Sequence, residues 1–227
     1  MDTGRGGRGT WPSMPVEVRD VTDGLWLWRQ RHHAWSEGDD WEPEVSSFAV
    51  ESRGHTLVLD PLAPRPDQGA EVWQRLAARP PDTIAILKPD HVRDVDLFVR
   101  WYGARAYGPP LFWPDDVPRE ELDPVLAGEE LPGGLLALHD GRERQETPLY
   151  LPEQRALVFA DGMEAIGGVL RVWATPWHAQ RVLPALRALL DLPFERVLVS
   201  HGEPVHTRAD FEAALEREPW SQVEGAG

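Results

Sequence analysis

The sequence contains no cysteine. That excludes disulfides, iron-sulfur clusters and thiolate zinc sites, and leaves imidazole and carboxylate as the side chains able to hold a metal. Lysine is almost absent too: of 23 basic side chains, 22 are arginine and one, Lys88, carries an ammonium. No run of eighteen apolar residues exists to span a membrane, and the opening MDTGRGGRGTWPSMP lacks the apolar centre of a secretory leader. Positive charge is also short, at 23 Lys plus Arg against 38 Asp plus Glu. The resulting field repels phosphate backbones and anionic headgroups. These absences point to a cytoplasmic protein with a small-molecule ligand and with neither nucleic acid nor membrane as partner.

What is present describes a globular chain. Its 227 residues, 41% of them hydrophobic, are enough to bury a substantial core. Residues 1–14 read as a loose Gly/Arg-rich tail and 221–227 as a flexible end, enclosing one domain over 15–220. GLWLWRQ, VSSFAVES and HTLVLDP carry the aromatic and β-branched residues of strands. GAEVWQRLAAR spaces its apolar residues helically up to Pro80, and VDLFVRWYGA does the same up to Gly103. The strands TIAIL and RAYGPP adjoin them. Residues 109–131, PPLFWPDDVPREELDPVLAGEEL, are acidic and proline-rich and suit an ordered excursion or lid better than a sheet element. The chain then resumes with GGLLALHDG, TPLYLPEQRALVFADG and GVLRVWA, a helix over HAQRVLPALRALLDL, the strand RVLVSHGEPV and a last helix, RADFEAALERE. A β-rich half with helices, an interruption and a second β-then-α half imply two sheets enclosed by helices. Eleven tryptophans cover core and sheets, and with that much aromatic surface the chain is expected to be a monomer or a homodimer.

Four predicted strands end in polar residues: Asp60 in LVLDP, Asp90-His91 in LKPDH, Asp161 in LVFADG and His201 in VLVSHGEP. Strand ends are where a rigid scaffold aims side chains into a shared cleft. Each motif alone is weak, since Asp before a helix is commonly a cap and Asp-Gly a common turn. Taken in order and spacing, they resemble the metallo-β-lactamase superfamily of metallo-hydrolases over roughly residues 20–210. In that family a strand ends in H-x-H-x-D-H before a helix, a downstream histidine follows, then an Asp after a strand and a final His-Gly turn.

The resemblance implies an α+β fold, a four-layer αββα sandwich of the metallo-β-lactamase type, with a metal centre where the sheets meet. Registering Asp90-His91 on the family's Asp-His puts Ile86 and Lys88 where the H-x-H histidines belong; a rival register would leave Pro89, Arg93 and Asp94 at ligand positions. The downstream histidine is missing, with Glu143, Glu146 or His139 near its place. By resemblance the chain therefore lacks one metal set and keeps the other: Asp90, His91, Asp161 and His201, holding one divalent metal, zinc first, iron or manganese as alternatives. Asp60 braces loops. The implied chemistry is hydrolysis of a small ester, lactone, amide or phosphoester, with Asp161 orienting water and the Lys88 ammonium beside Asp161 partly replacing the absent cation. Two alternatives stay open: Lys88 snorkels to solvent, and the site is degenerate, leaving an inactive binding or protein-interaction module. His32-His33, between Trp28 and Trp41, reads as an aromatic cleft rim, because adjacent strand residues face opposite sides.

Overall fold

Strands whose consecutive residues are apolar, rather than alternate ones, are covered on both faces, as in LVL, ALVF and VLV of the central strands here. The computed structural model describes residues 16–39, 41–142 and 146–221. Its first sheet follows chain order: β1 (Glu17–Thr22), β2 (Leu25–Arg31), β3 (Glu44–Ser52), β4 (His55–Leu59), β5 (Thr83–Ala85), β6 (Arg105–Gly108) and β7 (Asp123–Pro124). Pairing is antiparallel up to β4 and parallel from there to β7. The first two parallel steps are crossed by α1 (Ala70–Ala78) and α2 (Val95–Tyr102), and the third, from β6 to β7, by the irregular residues 109–122. Gly103 ends α2 in the left-handed conformation, with φ of 65°, the use of glycine that its position after the apolar stripe predicts.

The second sheet contains β8 (Glu130–Leu131), β9 (Leu135–Ala137), β10 (Leu149–Leu151), β11 (Ala156–Phe159), β14 (Arg196–Val199) and β15 (Val205–Thr207), in the order β15-β14-β11-β10-β9-β8. A separate hairpin, β12 (Met163–Ile166) with β13 (Val169–Val172), leaves it after β11. Two helices, α3 (Leu183–Ala188) and α4 (Arg208–Leu215), follow. Thr207 and Asp210 start α4 with a reciprocal capping box.

Alternation along each strand sorts side chains into three cores. Leu57 and Leu59 of β4 share the cluster between the sheets with Ala156 and Val158 of β11. Val58 instead joins Val72, Leu76 and Phe98 under α1 and α2, and Leu157 and Phe159 join Leu186 and Phe211 under α3 and α4. Each such leucine or phenylalanine contributes about 1.5–3 kcal/mol by leaving water. The result is the expected αββα stack.

Three features differ from the sequence reading. Residues 109–131 are more than an excursion, because their ends pair as β7 on one sheet and β8 on the other. Pro124 is accommodated there because β7 is an edge strand and need not donate. The helix expected over 178–192 is a wide turn at His178–Val182, then α3, then a tight turn at Leu189–Asp191; Pro184, lacking an N–H, opens the ladder before it. β1 and β12 were not anticipated. The expected tail 1–14, all of the expected tail 221–227 beyond its first residue, and Glu143 lie outside the described residues. No described helix is long and apolar enough to cross a membrane.

Candidate metal centre

The sheets meet where the end of β14 bridges to β3. Ser46 N–H donates to the Ser200 carbonyl at 2.9 Å, and Val45 pairs with His201. The next residue, Gly202, has φ of 77°, and a Cβ there would stand 2.0 Å from the Ala165 carbonyl oxygen. Only glycine lets β14 turn this close to β12. Asp161 arrives on the turn after β11, and the KPDH turn after β5 delivers Lys88, Asp90 and His91.

Four of these side chains converge. His91 Nε2 and His201 Nε2 lie 3.1 and 3.3 Å from Asp161 Oδ1, and one donor atom of each of the three residues falls within 4.8 Å of the others. Lys88 Nζ lies 2.5 Å from Asp161 Oδ2 and 2.6 Å from Asp90 Oδ2. Asp90 is thus held by the lysine and stands outside the His-Asp-His group, with its Oδ1 buried and without a hydrogen-bond partner. Ile86 is buried in the core under α1 and α2. Lys88 is 16% exposed by side chain, so it does not snorkel.

A second layer fixes this cluster. Asp60, fully buried and in the left-handed conformation with φ of 46°, accepts from the Leu87 N–H at 2.8 Å and from His91 Nδ1 at 2.8 Å. That bond sets the ring's orientation and leaves Nε2 facing Asp161. Arg93 donates to the Ser46 and Asp60 carbonyls at 2.9 and 2.8 Å, clamping the loops on either side. Glu146 accepts from three consecutive backbone N–H groups, Ala160 at 2.8 Å, Asp161 at 3.1 Å and Gly162 at 2.5 Å, and so shapes the turn that carries Asp161. His139, the other described candidate for the missing histidine's place, is exposed. Nothing in the sequence pattern signals the Glu146 role, which depends on a turn fourteen residues away.

The cleft in front measures about 530 Å³ and is lined by His32, Trp41, Trp113, Trp173 and Glu164 besides the cluster. Trp113 comes from the 109–131 segment and sets its ring 5.3 Å from Lys88 Nζ. Asp96 of α2 pins that segment by accepting from Arg119 and Glu120 N–H. His32 stands edge-on to Trp41 at the rim, while His33 turns to the Ala63 carbonyl.

The sequence matches no protein-family model and no curated protein at a significant level. Solved structures do match. The metallo-beta-lactamase FIM-1 from Pseudomonas aeruginosa, in a mono-zinc form, is 18% identical with a TM-score of 0.64 over 90% of this chain and 95% of that one. A metallo-beta-lactamase from Erythrobacter litoralis is 15% identical with a TM-score of 0.61 over 91% and 93%. The Flv1 flavodiiron core from Synechocystis is 13% identical with a TM-score of 0.62 over 90% and 62%.

This chain has the metallo-β-lactamase fold. At such identities the likeness is one of fold, and the chemistry must be argued from the side chains. Asp161 Oδ1 is buried and has no hydrogen-bond partner, although two ring nitrogens stand beside it. Their separations from it suit ligands of one tetrahedral ion, since bonds of about 2.0–2.1 Å place ligand atoms about 3.3 Å apart. Two imidazoles and a carboxylate form a donor set for zinc, iron or manganese. The residues present therefore fit a divalent metal.

The electrostatics without metal have a definite sign. Burial pulls the His91 imidazolium down, but the Asp161 and Asp60 carboxylates outweigh it and hold its pKa at about 9. Burial alone would raise Asp161, yet His91 and His201 keep it well below the usual range. His201 is lowered by burial, which its contact with Asp161 only partly offsets. Burial, reinforced by Asp140, pushes Glu146 up to about 7, and burial, reinforced by Asp161, pushes Glu164 up to about 8. Burial also lowers His32 to about 4.

These shifts fix the pH response. Groups with raised pKa bind more protons folded than unfolded, so their contribution is full at low pH and fades as pH climbs through the folded value. Glu146, Glu164 and His91 lose theirs successively up to pH 9. The depressed histidines, His32 and His201, stop contributing any slope above about 6.5, their unfolded pKa. Chelator-treated protein is therefore expected to melt several degrees lower at pH 9 than at pH 6.5, at about 1.4 kcal/mol per pH unit for each titrating group. A flat or rising melting temperature across that window would contradict these assignments.

Proposed function

We propose that the protein is a metal-dependent hydrolase with one divalent ion held by His91, Asp161 and His201, and with Asp90 adjacent as a fourth donor. The observation that carries this reading is the orphaned Asp161 Oδ1 between two imidazole nitrogens. A divalent ion held there would supply a Lewis acid, lowering the pKa of water from 15.7 towards about 7 and polarising a carbonyl or phosphoryl oxygen. The chain's own groups do the rest. Asp60 holds the proton on His91 Nδ1 and keeps Nε2 for the ion. Asp161 orients the attacking water. Lys88 commits two of its three N–H donors to Asp90 and Asp161, and the third can stabilise negative charge developing on a substrate oxygen. The indoles exclude water from a small ester, lactone, amide or phosphoester.

A second reading has its own observation. Lys88 already compensates Asp90 and Asp161, and protonated His91 sits between two carboxylates, so the cluster is charge-balanced without metal. The balance of three carboxylates, Asp60, Asp90 and Asp161, is completed by Arg93 beside them, and such a site suits a non-catalytic binder. Elemental analysis of protein purified without chelator separates the two. The hydrolase reading expects about one equivalent of metal, and hydrolysis of an aryl-ester and lactone panel that chelator abolishes and zinc, iron or manganese restores. Metal-free protein whose melting temperature does not respond to those ions would support the binder, because a native-state ligand must stabilise the fold.

A further inference from the structure

Glu164 lies on β12, three residues beyond Asp161, and is only 9% exposed. Its neighbours Met163 and Ala165 pack in the apolar cluster under α3 and α4. Strand alternation turns Glu164 the other way, into the wall shared by the main cleft and a side groove of about 370 Å³ that runs on to Ile166 and Trp220. Among the described residues no hydrogen bond or ion pair reaches its carboxyl. Arg171, directly opposite on β13, donates instead to the Glu218 carbonyl at 3.0 Å. Its carboxyl faces the cleft and groove rather than a protein donor, so a ligand that enters can supply the bond that water makes otherwise.

The surrounding charges narrow the ligand. Lys88 is engaged by Asp90 and Asp161, Arg93 by two carbonyls, and His91 by Asp60 and Asp161. An anionic group would find one uncommitted Lys88 N–H but would meet Asp90, Asp161 and Glu164 in the same cleft, on a protein of net charge −15. A cationic group would meet those same three positive side chains. Trp41, Trp113 and Trp173 line the cleft with flat apolar faces, which suit a planar ring.

We propose that Glu164 is a specificity-determining residue whose carboxyl receives an N–H or O–H of an uncharged aromatic ligand in the cleft lined by Trp41, Trp113 and Trp173. The inference rests on the proposed function in taking this ligand as the substrate and this contact as its non-reacting part. Nothing in the contact requires the metal.

Titration calorimetry on the protein as purified tests it with three probes of one shape: benzamide, benzamidinium and benzoate. Benzamide is expected to bind, and both charged probes to bind at least tenfold more weakly. Glu164→Ala weakens benzamide at least tenfold, whereas Glu164→Gln, which keeps a carbonyl acceptor, stays within threefold of the parent. Glu164→Met, close in length and apolar, carries the same expectation as alanine should the alanine variant fail to fold. The proposal is overturned if the parent does not bind benzamide, if a charged probe binds as tightly, or if both apolar variants bind benzamide like the parent. Benzamide binding that depends on Glu164 in a protein without metal or hydrolysis would remove the reaction and keep this contact. The reverse result would remove only the contact.

Discussion

His91→Ala is expected to lose the bound metal and to lower stability by about 3–5 kcal/mol, the cost of removing one member of a buried ion pair. The imidazole joins two carboxylates, with Nδ1 on Asp60 and Nε2 facing Asp161. Its side chain is 8% exposed and that of Asp60 is 0% exposed, so solvent cannot take its place. The buried Asp60 carboxyl would keep only the Leu87 N–H as a side-chain hydrogen-bond partner, with Arg93 as the remaining nearby cation. For a chain of this length the loss corresponds to a melting temperature about 10 °C lower. Elemental analysis should fall from near one equivalent to a trace, and exposed His139→Ala should leave both quantities unchanged. Metal that persists in His91→Ala would remove the proposed centre, and an unshifted melting temperature would remove the buried pair.

Lys88→Met, which keeps the length of the side chain and deletes the ammonium, is expected to cost about 3 kcal/mol in metal-free protein. That is the low end for breaking a buried pair, chosen because Asp90 and Asp161 retain 24% and 20% of their side-chain exposure and water can partly solvate them. Two carboxylates would then face each other without the cation 2.5–2.6 Å from each. Zinc should restore much of the loss, so the zinc-induced rise in melting temperature should be larger in the variant than in the parent. A rise no larger than the parent's would mean that the ammonium does not stand in for a cation. Equal stability of the metal-free proteins would mean that it carries no structural load.

The fold was legible where burial is two-sided or helical. VSSFAVES and RALVF read as strands because both faces of each sheet are covered, and VDLFVRWYGA ends at the glycine that closes α2. β1 escaped notice because EVRDVT is an edge strand with half-exposed, charged positions, and β12 because MEAI follows Asp161-Gly162 and reads as turn. At the site, the strand-end residues were visible because loops after strands expose what they carry. Lys88 beside Asp161 was legible as well, but the rest of the surrounding layer was not. Glu146 grips a turn fourteen residues on, and Glu164 faces the cleft from a hairpin. Each depends on a long-range approach that no local spacing encodes.

The chain's single ε-amine is the ammonium that Asp90 and Asp161 enclose. Reagents and enzymes that act on lysine need a neutral, accessible amine; burial pulls the pKa of this one down, but the Asp161 and Asp90 carboxylates outweigh it, raise the pKa and hold the group protonated. Apart from the amino terminus, the protein therefore presents no freely accessible amine for acylation, amine cross-linking or isopeptide attachment. Any modification of that class that did reach Lys88 would report that the cleft had opened.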